Sequence, residues 1–142
     1  MRDVGIKVAW FNEVTFARIR SRIDFRNHRK IVVCDGAAAF VGGNNVHDPV
    51  SAALSGPEAW RDVHVRIEGE PVRRLQRLFL ENWMYAGGKF QLDLEGVRRY
   101  FPPATEGRGR AVQILASGPD DESAPIHAYF LAAISTALDR VW

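Results

Sequence analysis

Apolar residues in this chain fall into short, β-branched runs in its first half and into helical spacing further on. The segment 28–34, HRKIVVC, is rich in Ile and Val and ends at Asp35-Gly36, a dipeptide suited to a tight hairpin turn. Ala38 to Val41 is the expected return strand, closed by the loop Gly42-Gly43. Val63 to Ile67 reads as the next strand, and Ile6 to Phe11 as a strand-like run ahead of the hairpin. From Pro71, favourable at a first helical position, Val72, Leu75, Leu78, Phe79 and Trp83 fall on one side and Arg73, Arg74, Arg77 and Glu81 on the other. That pattern predicts a helix packed on a sheet in preference to one lying on a membrane surface. A last helix is predicted from Ser123-Ala124-Pro125, beside acidic Asp120, Asp121 and Glu122, with Ile126, Phe130, Ala133, Ile134 and Leu138 at helical spacing.

At 142 residues the chain is long enough for one domain with a sizeable core. Its content does not partition as one. Residues 87–110 carry Gly87-Gly88, Pro102-Pro103 and the run Gly107 to Arg110 without a clear element. Connections inside compact domains have a median of about 4 to 6 residues, so 87–110 is read as a linker in preference to a substrate-covering loop. The expected organisation is 1–86, then the linker 87–110, then 111–142.

The hairpin carries the candidate chemistry, because His28, Lys30, Asp35, Gly42, Gly43 and Asn45 stand in the register H-x-K-x4-D-x6-G-G-x-N. Side chains two apart on a strand share a face, so His28 and Lys30 are expected to point together into one cleft. A neutral, oriented imidazole can attack phosphorus and form a phosphohistidine, which divides one hard displacement into two easier ones. Lys30 would neutralise phosphoryl oxygens as charge shifts. Gly42 and Gly43 let the backbone come close to a phosphate, and the Asn45 amide can donate to it. This chemistry requires no metal and no cofactor. Asp35 counts with the site by its place in the motif, but at a turn and out of phase with His28 and Lys30 it reads as a structural acceptor with hairpin and salt-bridge duty. Asp62, at the start of the strand after the motif, either orients the His28 ring or caps the strand end.

The formal charge is only +2, yet Arg18, Arg20, Arg22, Arg26, Arg29 and Lys30 concentrate just ahead of and within the motif. Local positive potential favours phosphate-bearing substrates, anionic lipid headgroups or nucleic acid; the alternative is a solvated basic face. Cys34 is the only cysteine, so it forms no internal disulfide and reads as a small hydrophobe. His64 reads as structural, and His47 and His127 lack metal-ligand spacing. No run of about 18 apolar residues is present to span a bilayer, and no signal peptide is visible.

The motif register is the signature of the phospholipase D superfamily, and the chain resembles its bacterial cardiolipin synthases over nearly its whole length. The resemblance is carried by Phe16-Ala17-Arg18 through Arg26-Asn27-His28-Arg29-Lys30, by Asp48-Pro49, by Trp60 to Gly69 (WRDVHVRIEG), by Leu78 to Trp83 (LFLENW) and by Gln113 to Pro119 (QILASGP). It implies an α/β fold with a mixed sheet flanked by helices, present incompletely. Residues 1–86 would be the C-terminal part of one phospholipase D-like half, and 111–142 the opening of a second. It also implies phosphatidyl transfer: His28 takes the phosphatidyl group from one phosphatidylglycerol, and a second accepts it to give cardiolipin. A carboxylate at the place of Asp62 orients the nucleophile in such enzymes, which act at the bacterial cytoplasmic membrane. Two departures stand out. Gly43 replaces a Ser common in the superfamily, and only one motif is present where these enzymes join two, the second His serving as general acid. The partner half is expected from sequence beyond this chain or from a second chain, and the chain alone is expected to be an inactive fragment. Two rivals remain open: a single-motif nuclease or phosphodiesterase acting as a homodimer, and a non-catalytic remnant.

Overall fold

The computed structural model describes residues 2–11, 27–45, 47–91, 93–104, 109–118 and 121–141. Phe16, Ala17, Arg18, Arg20, Arg22, Arg26, Gly107, Pro119, Asp120 and Trp142 lie outside them. The chain divides into two compact units, 1–110 and 111–142.

The first unit is built on a hairpin. Strands β1 (Lys30–Cys34) and β2 (Ala38–Gly42) pair antiparallel. Asp35 (φ 52°) and Gly36 (φ 65°) turn the chain between them, with the Ala37 amide donating to the Cys34 carbonyl at 3.0 Å. Two consecutive positive φ values are what an Asp-Gly pair tolerates and most residues do not. Strand β3 (His64–Glu68) pairs antiparallel with β2 and gives the order β1-β2-β3. The α/β architecture is the expected one, and among the described residues every strand pair is antiparallel. Ile6 to Phe11 is not a strand: no described strand pairs with it, and Phe11 instead lies against the Tyr85 ring, centroids 5.0 Å apart.

Alternation along the strands separates two faces. Ala39 and Ile67 are paired across β2 and β3, and both are buried, together with Val72, Leu75, Leu78 and Leu80 of helix α2 (Pro71–Tyr85). The odd-numbered face is therefore the one α2 covers. Leu75 retains 2% of its exposure, and full burial of a Leu side chain contributes about 1.5–3 kcal/mol. The helix face differs from the predicted one in detail: Leu80 and Gln76 are buried, whereas Phe79 is 45% exposed and stacks on Trp83. The even-numbered face carries Lys30, Val32, Phe40, Gly42 and His64. Between the strands, β2 leads to β3 through a 3-10 turn (Asp48–Val50), the short helix α1 (Ala52–Ser55) and a second 3-10 turn (Gly56–Glu58).

Residues 87–104 are not structureless. Helix α3 (Leu94–Tyr100) begins at Asp93, whose Oδ1 accepts from the Gly96 amide at 2.8 Å. The segment returns to α2: Trp83 Nε1 donates to the Lys89 carbonyl at 3.2 Å, and the Arg73 guanidinium lies 5.6 Å over the Phe101 ring. It also reaches the hairpin tip, where a Cβ on Gly36 would lie 2.5 Å from the Tyr100 carbonyl oxygen and 2.6 Å from Pro102 Cδ. These contacts make the segment part of the first unit. In the second unit, 111–118 has no regular structure and helix α4 (Pro125–Thr136) follows. Asp121 Oδ1 accepts from the Ser123 amide and hydroxyl, at 3.1 and 2.6 Å, just ahead of the helix.

Candidate active site

His28 sits two residues ahead of β1, not within it, and a small hydrogen-bond network fixes it there. Asn27 Oδ1 accepts from the Arg29 amide at 3.0 Å, a side-chain turn that wraps His28. Asn27 Nδ2 donates to Asn82 Oδ1 at 3.2 Å, and Asn82 Nδ2 donates to the Leu78 carbonyl one helical turn back at 2.6 Å. The last turn of α2 thus holds the segment that presents His28. Sequence reasoning missed this pair, whose only signal was an Asn beside the motif and another near a helix end.

Lys30 meets His28 as the shared face requires. Its Nζ lies 2.8 Å from His28 Nδ1 and 3.3 Å from Nε2, and donates to the His28 carbonyl at 3.0 Å. An ammonium group has no lone pair, so the imidazole nitrogen it contacts must accept. In this arrangement Lys30 occupies a lone pair that attack on phosphorus would use, and it must leave the ring first. A phosphoryl oxygen is an acceptor strong enough to draw it away.

The loop after β2 places the remaining residues unequally. The Gly43 amide donates to the Val63 carbonyl at 3.1 Å, so it is not free for a phosphate; what Gly43 supplies is the absence of a side chain. A Cβ there would lie 2.7 Å from Asp62 Oδ2, so a side chain at 43 would displace the Asp62 carboxylate. Asp62 Oδ1 accepts from the Val63 amide at 2.7 Å and makes no hydrogen bond with His28. Continued by two pairs, the strand register would set His28, Asn44 and Asp62 on one line across the sheet end, with Asp62 two strands from His28. Asn45 is exposed beyond β2, with no hydrogen-bond partner among the described residues.

Asp35 is separated from this group. Seven residues from His28 along the chain, at most about 23 Å at ~3.3 Å each, it lies at the other end of β1, where it forms the turn and is exposed. The structure gives it the hairpin duty and, among the described residues, no ion pair. His64, read from sequence as structural, lies on the same face as Lys30 with Gly42 between them. Cys34 is exposed rather than packed. Among the described residues no group of three or more His, Cys, Asp or Glu side chains is placed to hold a metal ion.

No protein-family model and no solved structure matches the chain. Curated relatives do. Cardiolipin synthase 1 of Bacillus cereus is 36% identical over 146 residues, covering 100% of this chain and 29% of the relative. Cardiolipin synthase of Geobacillus sp. (strain WCH70) is 39% identical over 145 residues, and cardiolipin synthase A of Pseudomonas fluorescens 38% over 142, each covering 100% of this chain and 28% of the relative. The chain spans under a third of the length of these relatives. With the similarity running from end to end, the chain is a cardiolipin synthase-like sequence of the phospholipase D superfamily.

Proposed function

We propose that this chain carries the nucleophile of a phosphatidyl-transfer site. The observation that supports it most is the contact of Lys30 Nζ with the His28 ring, which sets a nucleophile and a cation at one point of the sheet end. A neutral His28 nitrogen attacks the phosphorus of one phosphatidylglycerol. The P–O bond to glycerol breaks, and the departing oxygen takes a proton from a general acid. A hydroxyl of a second phosphatidylglycerol then gives its proton to the same group and attacks, breaking the P–N bond and releasing cardiolipin. Lys30 moves from the ring to the phosphoryl oxygens, where its charge counts most as the transition state forms. Asn45 donates from the loop, Gly43 leaves room, and Asp62 turns from Val63 toward the imidazole to fix its tautomer once Lys30 has left.

The acid is the His of a second motif, supplied by sequence beyond this chain or by a second chain. Residues 111–142 are the opening of that second half in this reading, and the chain alone does not turn over. The names of the relatives support a lipid substrate over nucleic acid, and the bacterial cytoplasmic membrane is where such a substrate resides. Among the described residues no helix is long and apolar enough to cross a membrane.

Grafting tests the reading. The matching stretch of Bacillus cereus cardiolipin synthase 1 is replaced by this chain, and cardiolipin made from phosphatidylglycerol is measured. Synthesis is expected with the unaltered graft and its loss with His28→Ala; equal synthesis by both grafts contradicts the assignment of His28.

A further inference from the structure

His64 opens β3 and shares the even-numbered face with Lys30, in the register Lys30, Gly42, His64. Gly42 between them has no side chain, so two strand spacings, ~9.6 Å in all, separate the outer pair with only backbone as the floor. The imidazole leans into this gap: a Cβ on Gly42 would lie 2.9 Å from His64 Nδ1 and 2.7 Å from His64 Cα. That Nδ1 is buried and meets no hydrogen-bond partner among the described residues. Nδ1 is therefore bare, and the neutral ring carries its proton on Nε2. A ring kept for packing alone would be better as phenyl, which fills the space without leaving a buried nitrogen unpaired.

We propose that His64 is a phosphate-binding residue of the site, donating Nε2–H to a phosphoryl oxygen held over Gly42 while Lys30 contacts the same group from the other side. The proposal rests on the reading of His28 and Lys30 as a phosphate site. Two strand spacings set the Lys30 and His64 backbones ~9.6 Å apart, near enough for both side chains to reach one phosphoryl group between them. Glycine at 42 is required first by the β3 backbone, since a Cβ there would collide with the Val63 carbonyl oxygen, and its bare Cα also seats the ring.

The test uses the whole 142-residue chain, labelled with nitrogen-15, and glycerophosphoglycerol as a soluble phosphodiester. Imidazole spectra of the free chain are expected to show His64 protonated on Nε2, and the His28 and His64 signals to shift together with one dissociation constant. His64→Phe is expected to weaken binding about tenfold, the share of one hydrogen bond to a charged oxygen, and His64→Gln to recover it to within about threefold. Circular dichroism establishes that each variant is folded; if His64→Phe is not, the wild-type tautomer and shifts decide. A proton on Nδ1 in the free chain, or His64→Phe binding like wild type while His28 still shifts, overturns the role of His64 and leaves the His28 site standing. No shift at His28 overturns both.

Discussion

The two faces of the three-stranded sheet differ by a single residue of strand alternation and do opposite work. On the odd face Ala39 and Ile67 meet Val72, Leu75 and Leu78 of α2, and nothing on it is titratable. On the even face Lys30, Gly42 and His64 run across the sheet end toward His28, and the apolar residue nearest them on β1, Val32, is 54% exposed. One face supplies stability and the other carries the proposed site. The division teaches that stability and site geometry are coupled through few points, chiefly strand register and the Asn27–Asn82 contact. A one-residue slip of register would carry Lys30 into the core and Ile31 out of it.

Substitutions on each side sharpen that contrast, in order of their expected effect on stability. Leu75→Ala empties the centre of the packed face and is expected to cost about 2–5 kcal/mol in chemical denaturation. Below the transition it should leave the His28 and Lys30 imidazole and ammonium signals where they are. Asn82→Ala removes the tie between α2 and the segment before β1. It is expected to cost about 1 kcal/mol, the net worth of a hydrogen bond, yet to shift the His28 ring signals clearly. A silent His28 spectrum in Asn82→Ala would show that the helix does not position the nucleophile. Gly43→Ala is expected to change stability by no more than about 0.5 kcal/mol, since Asp62 can swing away, and to move the Asp62 carboxyl signal without disturbing Leu75.

The hairpin and the meeting of His28 with Lys30 were legible because they are local. Asp35-Gly36 demands a turn with positive φ, and the two-residue spacing of His28 and Lys30 on a strand demands a shared face. The strand limits moved only slightly: β1 starts at Lys30, and just ahead of it the Asn27 side chain takes the Arg29 amide. What stayed hidden depends on partners distant in sequence. Asn27 meets Asn82 across 55 positions, and Asp62 meets Gly43 through the β2–β3 register; neither contact leaves a spacing signal. Helix α3 is seven residues long, too short for a period to show, and only Asp93 as its N-cap marked it. On α2 the apolar stripe predicted Phe79 inward, but the aromatic pair Phe79–Trp83 stacks near the surface and Leu80 takes the buried place.

The central claim is that His28 attacks phosphorus with Lys30 beside it, and an activated diester tests it in this chain with no need of a general acid. The p-nitrophenolate of bis(p-nitrophenyl) phosphate leaves without protonation, so the first displacement should proceed with no general acid. The chain is mixed with this diester, quenched in alkali and mapped by mass spectrometry. The account predicts a burst of one p-nitrophenolate per chain and one phosphoryl adduct on His28, both absent in His28→Ala and slowed in Lys30→Met. A chain that acquires no adduct at His28, whether unmodified or modified elsewhere, contradicts it.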